Sequence, residues 1–310
     1  MRVLITGSSG FIGQSVSSKL ELRSEQVVRV VRKERPNSLV VGDIGPNTCW
    51  REGLSLCEAV IHMAARVHVL GDKSSDPLEE FRRVNVAGTA NLARQAAAAG
   101  VRRFVFLSSI KVNGESTEAG GAFTAADTPA PKDSYGVSKH EAEEVLHQIA
   151  GDTGMEVVII RPPLVYGPGV KANFESMMSW LARGVPLPLA AVTENRRSLV
   201  ALDNLVDLIV TCLNHPAAAN QTFLVSDGED LSTAELLKRM GAAMGKPARL
   251  FYVTPALLKL GATLFNKPGI YQRLCGSLQL DIAKTRQLLG WTPPVSVDEG
   301  LRLAAEGFRP

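Results

Sequence analysis

Residues 6–13 read Thr-Gly-Ser-Ser-Gly-Phe-Ile-Gly, with glycines at 7, 10 and 13. The octet directly follows an apolar run, Val3–Thr6, and opens an amphipathic stretch in which Ile12, Val16 and Leu20 recur at helical spacing. A strand that turns at once into a helix needs a residue without Cβ where the chain bends, another where the backbone approaches a bound group, and a third where helix and strand pack closely. The helix start then aims unpaired N–H groups and a positive dipole end into the turn, which suits a pyrophosphate. A glycine-rich turn alone says little. The strand before it and the helix after it point to dinucleotide binding by Gly7, Ser9, Gly10, Phe11, Ile12 and Gly13.

Further apolar runs follow at Val27–Val31, Leu39–Val41, Ala59–Met63, Arg103–Leu107 and Glu156–Ile160, alternating with longer amphipathic stretches. Their near-continuous apolar character is that of strands covered on both faces. Asp76–Gly100 opens on Asp-Pro and closes on glycine, and Ser134–Ala150 closes at Gly151; both spacings predict helices. This alternation predicts an α/β fold with a doubly wound parallel sheet. After Gly-Pro-Gly at 167–169 the pattern loosens. Helices are expected near Phe174–Arg183, Leu205–Asn214 and Thr233–Met244, and strands near Ser198–Ala201, Thr222–Val225 and Arg249–Val253. The expected organisation is a dinucleotide-binding domain over 1–168, returning near 198–225, and a smaller α/β substrate-binding lobe from 169–197 and 226–310.

Composition narrows the function. The formal net charge of +3 gives no general electrostatic case for nucleic acid or an anionic membrane. No apolar run reaches the ~18 residues of a membrane span, and the N-terminus lacks the pattern of a secretory signal. The cysteines at 49, 57, 212 and 275 form no CxxC, which argues against a metal ribbon and for reduced thiols. A cytoplasmic protein with no metal, no nucleic-acid partner and no membrane insertion is the expectation.

Three features carry chemistry. Asp43 ends the Leu39–Val41 run, where a carboxylate can accept from an adenine amino group. Arg32 stands at the end of the second strand, about 20 positions past the glycines, where NAD binders usually carry an acid. With Lys33 and Arg35 nearby, Arg32 matches a 2′-phosphate, so NADPH is the favoured cofactor and NAD the alternative. Tyr135 and Lys139 lie one helical turn apart on one face. An ammonium there would lower a tyrosine pKa from about 10 and let it move a proton during hydride transfer. Ser109, at the end of the Arg103–Leu107 strand, is placed to donate to a substrate carbonyl.

With TGxxGFIG, VxGDI, HxAA, NVxGT, SSxxVxG, YxxxK, RPxxVYGPG and LGWxPP in order, nearly the whole chain resembles the extended short-chain dehydrogenase/reductases, within them the NAD-dependent epimerase/dehydratase family. The resemblance implies a Rossmann-type sheet and a nucleotide-sugar substrate. It implies Ser109, Tyr135 and Lys139 as the catalytic set, and a cofactor surface including Ile44, Met63, Ala64, Ala65, Asn85 and Pro162 with Tyr135 and Lys139. It implies Asn173, Arg197 and Arg273 as contacts to the substrate diphosphate, and the Asp76–Gly100 and Ser134–Ala150 helices as a homodimer contact, with Ala93, Ala96 and Ala97 allowing close approach or simply facing the core. Ile110 and Lys111 stand where dehydratases of this family carry an Asp-Glu pair, which excludes that reaction. Arg197–Leu205 and Phe223–Glu229 are similar to bacterial reductases of surface polysaccharide (lipopolysaccharide-type) synthesis, and Arg32 replaces the acid typical of epimerases that retain NAD. Reduction of the 4-keto group of a UDP-linked 6-deoxy-N-acetylhexosamine (UDP-FucNAc/UDP-QuiNAc type) by NAD(P)H is therefore expected. The alternatives are a UDP-sugar 4-epimerase with tightly bound NAD, a dinucleotide sensor, and a reductase of a small ketone.

Overall fold

The computed structural model describes residues 1–67, 76–118, 120–265 and 268–309. The strands are β1 (Arg2–Thr6), β2 (Gln26–Val31), β3 (Leu39–Val40), β4 (Ala59–His62), β5 (Arg103–Leu107), β6 (Glu156–Arg161), β7 (Leu164–Tyr166), β8 (Arg197–Ala201), β9 (Gln221–Leu224) and β10 (Asp230–Leu231). The helices are α1 (Phe11–Leu22), α2 (Arg51–Leu54), α3 (Pro77–Phe81), α4 (Gly88–Ala98), α5 (Ser134–Thr153), α6 (Ala172–Ala182), α7 (Leu202–Asn214), α8 (Thr233–Ala243), α9 (Pro255–Leu264), α10 (Pro268–Cys275), α11 (Ala283–Leu289) and α12 (Val297–Glu306). Among the described residues no helix is long and apolar enough to cross a membrane.

Seven strands form one parallel sheet in the order β3-β2-β1-β4-β5-β6-β9. This is a Rossmann-type fold, and the order in which successive strands are added reverses between β1 and β4, the switch point where ligands bind beyond the strand ends. The continuous apolar runs have their reason in the two faces. Val3, Ile5, Ala59, Ile61, Val105, Val158 and Ile160 join the core beneath α1 and α7. Their alternating neighbours Leu4, Val60, Phe104, Phe106, Val157 and Ile159 join the core beneath α4 and α5. Ala93 and Ala96 are buried in that second core, so the alanine face of α4 packs inward. The second, three-stranded sheet has the order β10-β8-β7 and supports a third core with α6, α8 and α12. Leu278, Leu280, Ile282, Leu289 and Trp291, late in the chain, pack on the α1/α7 side of the large sheet.

Several elements differ from the sequence expectation. The helix expected over Asp76–Gly100 begins as predicted, with Asp76 accepting from Glu79 N–H (3.1 Å) and Pro77 in the first turn. It is then interrupted by a π-helical segment over Arg82–Ala87 before α4. Gly151 does not end α5; the helix runs to Thr153 and closes on Gly154 at φ +74°. Gly151 meets open space, so the helix tolerates it without using it as a cap. The 249–253 segment forms no strand; its pairing stops at a single bridge of Leu250 to Leu187, with Phe251 N–H donating to the Leu187 carbonyl (3.0 Å) and the Phe251 carbonyl accepting from Ala190 N–H (3.2 Å). The short strands β7 and β10 lack the length that a pattern reading needs.

The glycine turn joins the first strand pair to the first helix. Gly7 has φ +70°, and Gly10 N–H donates to its carbonyl (2.9 Å). A Cβ on Gly7 would lie 2.9 Å from the Ala64 nitrogen, and one on Gly13 would lie 2.1 Å from the Gly7 oxygen. Both positions therefore exclude any side chain. Gly13→Ala is expected to cost about 1–3 kcal/mol through this overlap and to remove dinucleotide binding. Gly151→Ala should instead raise stability by about 0.5–1 kcal/mol, as alanine does in an exposed helical position. Thermal unfolding of both variants with and without NAD checks the pair; equal midpoints would contradict it.

Candidate active site

The site is built where β1, β4, β5 and β6 end and α5 begins. The first intrahelical bond of α1 is Gln14 N–H to the Gly10 carbonyl (3.1 Å), and no side chain caps this helix. The N–H groups of Phe11, Ile12 and Gly13 thus point toward the turn as donors for phosphate oxygens. The shape of the turn, closed to any Cβ at Gly7 and Gly13, fits a dinucleotide pyrophosphate. Met63, Ala64 and Ala65 continue directly from β4 beside it, and Ile44 packs against Gly88 nearby. At the other end of the crevice Arg32 and Asp43 stand 3.8 Å apart, 80% and 79% exposed. The structure brings these two predicted residues together, so the positive charge of Arg32 is partly met by Asp43.

Behind the turn runs a buried polar chain that sequence reading did not assemble. Thr6 Oγ1 accepts from Ala64 N–H (3.2 Å) and shares a hydrogen bond with His62 Nδ1 (2.6 Å). His62 Nε2 in turn shares one with Thr89 Oγ1 (2.9 Å). Burial, with a smaller contribution from Lys139, pushes the His62 imidazolium down to about 3, so the ring is neutral and joins the strand end to α4. Asn85 lies within the π-helical segment and is buried. Its amide donates to the Arg66 carbonyl and to Ser138 Oγ (both 3.0 Å), and its oxygen accepts from Arg66 N–H (2.8 Å). Ser138 Oγ in turn donates to the Tyr135 carbonyl (2.8 Å). Asn85 therefore braces the backbone after β4 against the start of α5. The π-helical turn is the local cost of aiming it there.

Tyr135 and Lys139 lie on the first turns of α5, whose N-cap Asp133 accepts from Gly136 N–H (2.7 Å). Lys111 Nζ ion-pairs with Asp133 and with Glu115 (3.1 Å). The lysine found in place of a dehydratase carboxylate thus anchors the N-terminus of α5, while Ile110 is core. Ser109 Oγ accepts from Lys111 N–H (3.3 Å) and caps the short turn after β5. Pro162 is buried, with its carbonyl bonded to Ile110 N–H (3.0 Å), which holds the ends of β5 and β6 together.

The electrostatics correct one expectation. Burial, then the charge of Asp133, push the Tyr135 phenol up to about 12 instead of down. Burial pushes Lys139 down to about 7 against the opposing pull of Glu143. Lys139 Nζ lies 4.0 Å over the Phe106 ring. Lys139 is buried and Tyr135 partly so, and desolvation of the charged form is the largest cause of each shift. Sequence reading also missed what stands behind them. Glu143, one turn beyond Lys139, is buried, accepts from Ser108 Oγ and pairs with the buried Arg161 (Nε–Oε1 3.0 Å). Arg161 Nη1 donates to Asn113 Oδ1 (2.9 Å), and Asn113 Nδ2 to the Thr124 carbonyl (2.9 Å). Asn113 thus joins this ladder to the loop at Thr124.

The expected diphosphate contacts are more scattered. Asn173 is exposed on the first turn of α6. Arg197 is half-buried and donates to the Gly276 carbonyl (3.0 Å), and burial lowers its pKa. Arg273 is exposed on α10, its Nε donating to the Gly269 carbonyl (3.0 Å).

Comparison with known proteins agrees with this geometry. The model of the NAD dependent epimerase/dehydratase family matches residues 3–226, and the chain belongs to that family. It is 50% identical over 311 residues to a UDP-glucose 4-epimerase of Vibrio cholerae, covering 99% of this chain and 95% of that one. At 26% identity it also matches a 2-alkyl-3-oxoalkanoate reductase of Stenotrophomonas maltophilia, over 97% of this chain and 98% of the relative. A UDP-glucose 4-epimerase structure from Thermotoga maritima with UDP-glucose superposes with a TM-score of 0.79 at 24% identity, covering 100% and 99% of the two chains; this likeness shows the fold. The chain is an NAD(P)-dependent enzyme of the extended short-chain dehydrogenase/reductase type. The expected 4-keto reductase activity is overturned by the 50% identical epimerase. Arg32, one of the features behind that expectation, stands exposed 3.8 Å from Asp43.

The neutral His62 has a consequence for acid stability. Its folded pKa lies below the usual value of 6.5, so the unfolded chain binds a proton that the native chain refuses. Its contribution is full above about 6.5 and is lost as pH falls toward about 3. His62→Gln is expected to reduce the slope of stability against pH across that window by about one proton, measured by urea unfolding. An unchanged slope would contradict the neutral ring.

Proposed function

We propose that the protein interconverts the C4 epimers of a UDP-linked sugar, keeping one NAD through the whole cycle. The observation that supports this reading most is the 50% identity over 99% of the chain to a relative named as a UDP-glucose 4-epimerase. The site is consistent with it: it has the Ser-Tyr-Lys set of hydride-transfer enzymes and no carboxylate pair for dehydration at positions 110 and 111.

A nicotinamide dinucleotide held at the Gly7–Gly13 turn would supply reversible hydride acceptance at C4. Tyr135 takes the proton of the C4 hydroxyl as the carbonyl forms, and gives it back on the return step. Its phenol is protonated in the free chain, so a positive charge nearby must favour the phenolate; the Lys139 ammonium, one turn away and drawn toward the charged form by Glu143, is that charge. The Ser109 hydroxyl donates to the same C4 oxygen. Arg197 and Asn173 hold the diphosphate. A half-buried guanidinium whose charge is poorly solvated gains most from such an anion. With the diphosphate held and the sugar free to turn, both faces of C4 can meet the cofactor. Arg32 is already paired with Asp43, and a cofactor recycled in place gains nothing from a 2′-phosphate, so NAD is the proposed form.

Purified protein given UDP-glucose or UDP-N-acetylglucosamine should form the C4 epimer with no nucleotide added, and should release NAD on denaturation. Tyr135→Phe should keep its fold and lose about 10²-fold or more of turnover. Absence of both epimers, with full dependence on added NADPH for any turnover, would overturn the reading.

A further inference from the structure

The small net charge of the chain hides a segregated region. From Leu236 to Leu280 the sequence has Lys238, Arg239, Lys246, Arg249, Lys259, Lys267 and Arg273 but no Asp or Glu. Arg239 is consumed by pairs with Glu229 and Asp298. Lys246, Arg249, Lys259 and Arg273 are exposed and make no ion pair among the described residues. The same region turns its apolar side chains outward. Helix α9 has no buried residue. Leu257, Leu260 and Leu264, at i, i+3 and i+7, form one exposed face, while Leu258 faces the third core. Tyr252 (72%), Leu264 (75%) and Phe265 (79%) are among the most exposed large apolar side chains. Beside them a cavity of about 520 Å³ opens between α9, α10 and residues 187–189, lined by Leu258, Phe265 and Leu274 among others.

We propose that α9 and the Phe251–Tyr252 segment dock on a bilayer surface bearing anionic headgroups. The leucine face and aromatics enter the headgroup boundary, and Lys246, Arg249 and Lys259 meet the phosphates. Apolar burial and attraction to anionic lipid together are what hold an interfacial helix, and here outward apolar side chains and exposed cations share one stretch of chain that carries no acid. A protein partner of ordinary composition would meet this face with carboxylates or leave its cations unpaired at the rim. A second copy would set the cations against each other. The docking is peripheral and independent of the reaction chemistry.

The test is co-sedimentation with vesicles of phosphatidylglycerol and phosphatidylcholine, against vesicles of phosphatidylcholine alone. The protein should bind the anionic vesicles, less so at high salt, and bind the neutral ones weakly. Lys259→Glu should weaken binding at least about fivefold. Leu260→Ser with Leu264→Ser should weaken it about tenfold. Both variants should keep wild-type thermal stability and wild-type turnover in vesicle-free solution. Wild-type protein that stays in the supernatant with anionic vesicles, or variants that bind them as wild type does, would overturn the proposal. So would a double leucine variant that converts a dimer to a monomer in sedimentation velocity while vesicle binding is unchanged.

Discussion

The contact on which the rest depends is the approach of the first strand turn to the end of β4. Gly7 lies against the Ala64 backbone, and Gly13 lies against Gly7, at distances that admit no side chain. This lets α1 start directly over the switch between β1 and β4 and aim its first N–H groups outward. It also places Thr6 within reach of His62 and of the Ala64 N–H, so that one hydroxyl serves both strand ends. From His62 the order passes to Thr89 on α4. The residues after β4 are in turn held by Asn85, which reaches the catalytic helix through Ser138. The cofactor turn and the proton-transfer helix are thus parts of one hydrogen-bonded frame.

The second constraint is charge kept out of water. Lys139, Glu143 and Arg161 are all buried, in a line from α5 to the end of β6. An isolated buried ammonium would cost several kcal/mol. Glu143 lies between two cations and answers both, while Asn113 and Ser108 satisfy remaining hydrogen-bonding capacity. The arrangement contributes position more than stability, since buried pairs are weak net stabilisers. It keeps Lys139 close to its titration point and one turn from Tyr135, where a small change in local charge shifts the balance between phenol and phenolate.

Much of the fold and part of the site were legible in the linear chain. Strands buried on both faces leave long apolar runs, and the large sheet appeared with boundaries within a residue or so of those observed. The glycine octet and the Tyr135–Lys139 spacing announced themselves because their geometry is local. What escaped reading depends on contacts distant in sequence. The Arg32–Asp43 pair is such a case, because its members lie on separate strand ends. The Glu143–Arg161–Asn113 ladder joins a helix, a strand and a loop, although a charged residue ending the otherwise apolar β6 was its visible signal. The π-helical interruption before α4 also escaped, because Asn85 takes its partners from beyond β4 and from α5. The outward leucines of α9 have helical spacing, and spacing alone does not say which side is covered.

The central claim is that one hydride leaves C4 and returns to the same carbon without exchange. It is tested most directly by giving the protein UDP-glucose carrying deuterium at C4 and analysing the product by mass spectrometry and NMR. The account predicts UDP-galactose that retains the deuterium at C4, with none in solvent or in free nucleotide. Product that has lost the label to a free nicotinamide pool, or label that appears in product only when external reduced nucleotide is supplied, would contradict it.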